Sequence, residues 1–360
     1  MRVSLRSDRA DEDNETEVQQ LRELGRKSVK AWLLAGACAL IIAAGATRGH
    51  GAIEGQVRSS APPWLGLFGA AIRPDGSIFI VGSKALLLVS TDHGKTWVQQ
   101  TLKERPGSIL FQDRDLYSIR FTPDGKEGWI VGEEGTILHT ADGGQTWTRQ
   151  DSGSTKNLFK LAVLDAQNAV AVGADGVILR TSDGGNHWQS IKSPKIITLF
   201  DVTFVDKNMG WIAGEFSSIL GTSDGGQTWK LAYGGNTGDF TVGPFFTVNF
   251  RDPQNGMAAG LSGDMVATTD GGKSWKAQKL PTAAAGYVAA WDPLNKTIWI
   301  GGTGGNMFSG NVGGQFQEAA RTTFHDLTDM VFAGNQGVAV GLSGTILLKQ
   351  GTSEQWQAVQ

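Results

Sequence analysis

The sequence predicts an all-β chain: a seven-bladed β-propeller of four-stranded blades, preceded by one transmembrane helix. Three observations carry this. Glycine supplies 50 of 360 residues and is spread along the chain with 12 Trp and 16 Phe, the signature of many short strands joined by tight turns. An octapeptide of the form Ser/Thr-x-Asp-x-Gly-x-x-Trp recurs at Ser90–Trp97, Thr140–Trp147, Thr181–Trp188, Thr222–Trp229 and Thr268–Trp275, with two weakened copies at Ser309–Phe316 and Lys349–Trp356. Seventeen uncharged residues, 31–47, lie close to the N-terminus.

Taken in order, residues 1–30 are densely charged without apolar periodicity and read as a cytoplasmic disordered tail. Residues 31–47 are just long enough to span a bilayer and are read as a transmembrane signal-anchor. Arg22, Arg26, Lys27 and Lys30 precede them and only Arg48 follows closely, so the N-terminal side is expected to stay inside. That orientation puts the rest of the chain on the periplasmic or lumenal side of an inner or thylakoid membrane. The small residues Ala44-Gly45-Ala46 also fit a signal-peptide cleavage site, although the charged segment ahead of them is long for one. Residues 48–60 are a linker, or lend a strand that closes the ring; the propeller then occupies 61–360.

A second marker fixes the repeat. A short strand ends in Gly fifteen residues before each aromatic, in the pairs Gly82/Trp97, Gly132/Trp147, Gly173/Trp188, Gly214/Trp229, Gly260/Trp275, Gly301/Phe316 and Gly341/Trp356. The aromatics are spaced 50, 41, 41, 46, 41 and 40 residues apart, with insertions around Lys103–Arg114 and Gly234–Asp239. In the second copy four strands are expected: Leu116–Phe121, Gly128–Gly132, Thr136–Thr140 and Trp147–Gln150. A unit of this size cannot bury both faces alone, so neighbouring units must stack around an axis.

The repeated motif has a structural role in this reading. The glycines tolerate the positive φ of a tight hairpin, and the Asp and the preceding hydroxyl can accept turn N–H groups. The Trp is a wedge between sheets. A reaction needs one asymmetric site, whereas this motif stands in every blade. Asp92, Asp142, Asp183, Asp224 and Asp270 are therefore turn braces, with Trp97, Trp147, Trp188, Trp229 and Trp275 as their packing partners.

Other chemistry is thinly represented. Residues 51–360 carry 24 basic and 28 acidic side chains, a poor balance for nucleic-acid binding. The single cysteine, Cys38, permits no internal disulfide. The five histidines show no metal-ligand spacing, no nucleophile elbow or P-loop occurs, and no cofactor or metal is expected. Gly301-Gly-Thr-Gly-Gly305 lacks a following helix and reads as a turn between strands. Arg73, Arg120 and Arg251 sit on or just after the first strand of their units, nearest the axis, and are the candidates for gripping a carboxylate or an acidic peptide.

The octapeptide is the Asp-box, or BNR repeat, shared by sialidases and by non-enzymatic propellers. Phrases such as Leu199-Phe-Asp-Val-Thr-Phe-Val-Asp206, Gly210-Trp-Ile-Ala-Gly214 and Gly176–Gly185 resemble the photosystem II stability/assembly-factor propellers, from about residue 64 to 356. The resemblance implies a non-catalytic lumenal or periplasmic scaffold that binds an integral membrane protein, or a transport or photosynthetic complex, under assembly. It also implies an arginine patch as the contact, to which Arg120 and Arg251 correspond. The family has members in non-photosynthetic bacteria as well. The rival class is an Asp-box glycoside hydrolase of sialidase type, which needs an arginine triad, an acid/base Asp and a Tyr–Glu pair. Tyr117, Tyr233 and Tyr287 are the tyrosines present, and none stands in a spacing that marks a nucleophile.

Overall fold

The computed structural model describes residues 66–102, 114–234 and 243–359. The predicted tail, spanning helix and linker within residues 1–60 lie outside the described residues, as do most of the two predicted insertions. Among the described residues no helix is long and apolar enough to cross a membrane.

The repeat folds as seven antiparallel four-stranded sheets, each with its strands in chain order. The first strands are Leu67–Ile72, Leu116–Phe121, Leu158–Val163, Leu199–Phe204, Phe245–Phe250, Gly286–Asp292 and Leu327–Ala333. Each of these packs beside the first strand of the next sheet, and the seventh packs beside the first, so they line the axis of a closed ring. Blade 2 shows the common plan: Leu116–Phe121, Gly128–Gly132, a single 3-10 turn at Glu133–Gly135, Ile137–Thr140 and Thr148–Gln150. The third and fourth strands start one residue later than the spacing predicts. Thr136 instead closes the 3-10 turn through its N–H to the Glu133 carbonyl, and Trp147 packs into the core at the hairpin base.

The second strand of every blade is apolar on both faces because each face meets a different neighbour. In Gly128–Gly132, Trp129 and Val131 point toward blade 3 while Ile130 points toward blade 1. The core accordingly divides into seven clusters, one at each junction between blades. The recurrent glycine that ends this strand answers a close approach: a Cβ on Gly132 would lie 2.3 Å from the Asp115 carbonyl oxygen.

The ring closes between blades 7 and 1 with no exchange of strands among the described residues. Blade 7 takes all four strands from residues 327–358, ending with Gln357–Ala358. The seam is held by the apolar cluster of Ile80, Leu88, Val338 and Val340, and by polar links across it. The Thr328 hydroxyl donates to the Leu67 carbonyl at 2.6 Å, and the Ala70 N–H donates to Asp329 Oδ2 at 3.0 Å.

Candidate functional site

At the outer turns, the repeated aspartates brace their hairpins. Asp142 Oδ1 accepts the Thr146 N–H at 2.9 Å and the Thr140 hydroxyl at 2.7 Å, while Oδ2 accepts the Thr146 hydroxyl at 2.6 Å. Thr140 Oγ1 in turn accepts the Gly144 N–H at 2.8 Å, and Gly144 has a φ of +88°. The Trp147 indole donates to the Gly144 carbonyl at 3.2 Å and is buried against blade 1. Asp92, Asp183, Asp224 and Asp270 make the same bonds to Thr96, His187, Thr228 and Ser274. The five carboxylates stand in five separate hairpins. Trp97 and Trp229 are buried, whereas Trp188 and Trp275 are only half-buried.

The three singled-out arginines lie in different places. Arg73, at the turn-bearing end of blade 1, reaches blade 2 through Nε to the Gly125 carbonyl at 3.1 Å. It also pairs with Asp75 at 3.4 Å and lies 5.9 Å from the Phe79 ring centroid. Arg251 follows the first strand of blade 5 and pairs with Asp252 at 2.8 Å. Only Arg120 faces the axis. Among the described residues the three share no partner.

Arg120 belongs to an ionic cluster that the sequence reading missed. Its guanidinium grips Asp329 of blade 7 with two bonds, at 3.0 and 3.2 Å, and donates to the Ala70 carbonyl of blade 1 at 2.9 Å. Lys160 of blade 3 reaches across the axis to the same carboxylate at 2.7 Å. One aspartate thus ties four blades. Burial alone would raise the Asp329 carboxyl, but the Arg120 and Lys160 charges outweigh it and hold it well below the usual range. Burial likewise opposes the Arg120 charge, and Asp329 more than restores it. Asp201 of blade 4 lies near enough to add to that effect, with Oδ2 accepting the Thr247 hydroxyl and the Val248 N–H of blade 5.

Asp201 and Asp329 repeat one device. The first strand is the edge of its sheet, so N–H groups facing the axis have no ladder partner. The third residue of one first strand accepts the N–H of the fourth residue in the next blade: Asp329 from Ala70, Asp201 from Val248, and Thr247 from Ala289. At this level the axis is crossed by side chains.

One layer above, toward the ends where the first strands begin, the axis is ringed by aromatics. In every blade the register of the first strand slips between its first and third residues, leaving the second as a bulge. The bulged residues are Phe68, Tyr117, Phe159, Phe200, Phe246 and Tyr287, with Thr328 in blade 7. Their ring centroids follow one another at 5.6, 5.5, 6.5, 5.2 and 5.2 Å. Beside this collar the Tyr117 hydroxyl donates to Glu133, whose carboxylate also accepts the Asp115 N–H at 2.9 Å. Burial first, then the Glu133 and Asp115 charges, push the Tyr117 phenol far upward, so it stays protonated at neutral pH. An aromatic as the second residue of six successive first strands was the available signal in the sequence.

Together these layers form a bowl with an aromatic wall and an ionic floor. Of the floor, Arg120 and Lys160 are 24% and 14% exposed while Asp329 is only 1% exposed, so the solvent-accessible part of the cluster is cationic. Such a site suits binding of an anionic group in an apolar setting. Among the described residues no group of three His, Cys, Asp or Glu side chains is placed to hold a metal ion.

Residues 107–197 and 191–280 each match the sequence profile of the family described as Photosynthesis system II assembly factor YCF48. Solved structures share the fold. YCF48 bound to D1 peptide aligns with a TM-score of 0.65 at 22% identity, over 83% of this chain and 94% of that one. YCF48 from Cyanidioschyzon merolae aligns at 0.64 and 18% identity, over 82% and 98%. U3-55K aligns at 0.65 and 12% identity, over 79% and 91%, so this ring also serves proteins of other kinds. No curated protein sequence matches the chain.

Proposed function

The chain belongs to the photosystem II assembly factor-like propeller family, and from that premise we propose that it is a non-catalytic scaffold binding a membrane-protein partner. The observation that carries this reading is the axial ionic cluster, where Arg120 and Lys160 stay partly exposed around a buried Asp329. Charge-assisted bonds from such donors are the strong ones in recognition, and the closed ring holds them rigidly. YCF48 has been solved with D1 peptide, a precedent for a peptide ligand on this fold. Arg120 is the arginine we assign to the partner contact, with Lys160 added to it. Arg73 and Arg251 lie at the other end of the ring, where their partners are Gly125, Asp75 and Asp252.

The reading includes residues 31–47 as an anchor that leaves the propeller on the periplasmic or lumenal side, beside a partner under assembly. Binding is favoured over glycoside hydrolysis because the Tyr117–Glu133 pair carries a phenol displaced away from ionisation, the opposite of an activated nucleophile.

Affinity purification of the full chain from detergent-solubilised membranes tests the proposal. The expected result is one integral membrane protein recovered in stoichiometric amount, and lost when Lys160→Gln replaces the wild type. Recovery of soluble proteins alone, release of the chain from membranes at alkaline pH, or cleavage of a fluorogenic sialoside would each overturn it.

A further inference from the structure

The loops leading into the first strands of blades 4 and 7 carry the two most exposed large apolar side chains among the described residues. Ile196 is 85% exposed and Phe324 is 81% exposed. Each stands three positions before its first strand, at Leu199 and Leu327, so both lie at the collar end of the ring. Blades 4 and 7 are three steps apart in a ring of seven, which sets the two side chains on nearly opposite sides of the bowl. Next to Phe324, a cleft of about 510 Å³ opens between the loops of blades 5 and 6. Its lining includes Tyr287 of the collar and Arg321, whose guanidinium lies 5.8 Å from the Phe324 ring centroid. Tyr287 and the cleft thus lie between the collar and Phe324, with Ile196 on the other side of the bowl.

We propose that this face takes an extended internal segment of a partner polypeptide that crosses the bowl as a strap. Its apolar flanks rest on Ile196 and Phe324, and one Asp or Glu side chain descends within the aromatic collar to Lys160. Three features select this occupant. The Lys160–Asp329 bridge crosses the axis, so nothing threads through and only a side chain reaches the floor. The exposed part of the floor is cationic, which calls for a carboxylate. The two apolar points lie on either side of the mouth, which calls for chain on both sides of that carboxylate instead of a chain end. The half-buried rings of Phe68, Tyr117 and Phe159 offer edges and faces to a neighbouring apolar side chain.

The inference deepens the partner-binding reading and rests on it for the nature of the partner. It is tested on the full chain in detergent with an acetylated and amidated peptide whose central Glu is flanked on both sides by Leu and Phe. Saturable binding by calorimetry is expected. Changing the peptide's Glu to Gln, or Lys160→Gln in the protein, should each weaken it about tenfold, the size of one charge-assisted hydrogen bond, and not additively. Ile196→Ser with Phe324→Ser should also weaken binding while leaving the thermal midpoint unchanged, since neither side chain is packed in the core. Absence of saturable binding, indifference to these substitutions, or a clear preference for a peptide ending in a free carboxylate overturns the strap. If the peptide binds as expected but no integral protein is recovered from membranes, the strap stands and the membrane-partner reading fails. The reverse result sinks the strap alone.

Discussion

Lys349 stands where five other blades carry the Ser or Thr that opens the Asp-box, and its blade has no box aspartate to hold. Its ammonium turns instead to Asp292 in blade 6 at 2.9 Å, donates to the Gly351 carbonyl at 3.0 Å, and lies 5.8 Å from the Phe332 ring centroid. Both charged side chains are 2% exposed. Asp292 Oδ1 accepts the N–H groups of Leu294 and Asn295, so each ion has hydrogen bonds beyond its partner. The pair replaces a bond within one hairpin by a bond between two blades. Removing one member leaves the other charge buried and alone, which costs more than the pair itself contributes. Asp292→Ala is expected to lower the unfolding free energy by about 3–5 kcal/mol in urea titration. Adding Lys349→Met should return most of that loss; a double variant as unstable as the single one would show that the damage is not the orphaned ammonium.

At the scale of the element, the Asp-box hairpin ties its stability to an ionised carboxylate. Asp92, Asp183, Asp224 and Asp270 are all held down to about 2. The Thr96 and Ser274 hydroxyls are the main cause for Asp92 and Asp270, and the His187 N–H is for Asp183. At Asp224 burial pushes upward and the Thr228 donors outweigh it. A carboxyl lowered by folding from about 3.9 stabilises the native state fully above that value, and the contribution is lost as pH falls toward 2. The urea midpoint is therefore expected to be level near pH 5 and to drop steadily between pH 4 and pH 2, with a shallower drop in Asp224→Asn. A midpoint that stays level to pH 2 would show that the turns hold without these charges. This element was legible in the sequence because every bond in it joins residues within a few positions of one another. The aromatic collar was not read. Alternating apolar residues in a strand look the same whether they enter a core or a bulge, and only the register slip at residues such as Phe159 distinguishes the two.

At the scale of the molecule, the number of blades was legible because the glycine-to-aromatic interval keeps one value in six blades and slips by one residue only in blade 6, where the second strand ends at Gly302 and not at the expected Gly301. The closing of the ring was not, for it depends on groups far apart in the chain with no local pattern. Asp329 is separated from Lys160 by 169 positions and from Arg120 by 209. The position of Arg120 on a first strand placed it near the axis, yet nothing nearby in the sequence announced its carboxylate. With no strand shared across the seam among the described residues, blades 7 and 1 meet through packing, the Thr328 hydroxyl, Asp329 and the Gln336 side-chain amide, which donates to the His93 carbonyl at 3.3 Å. Among the described residues Asp329 is also the one group that links both seam blades to blades 2 and 3. Asp329→Ala should thus act on this junction above the other six. It removes the acceptor of the Ala70 N–H and leaves two cations unpaired, a loss of about 3 kcal/mol or more. Amide exchange is expected to quicken in Leu67–Ile72 and Leu327–Ala333 first, while the first strands of blades 4 and 5 keep their protection. Uniform loss of protection around the ring would mean that the seam is no weaker than any other junction, and that the axial cluster holds all seven blades alike.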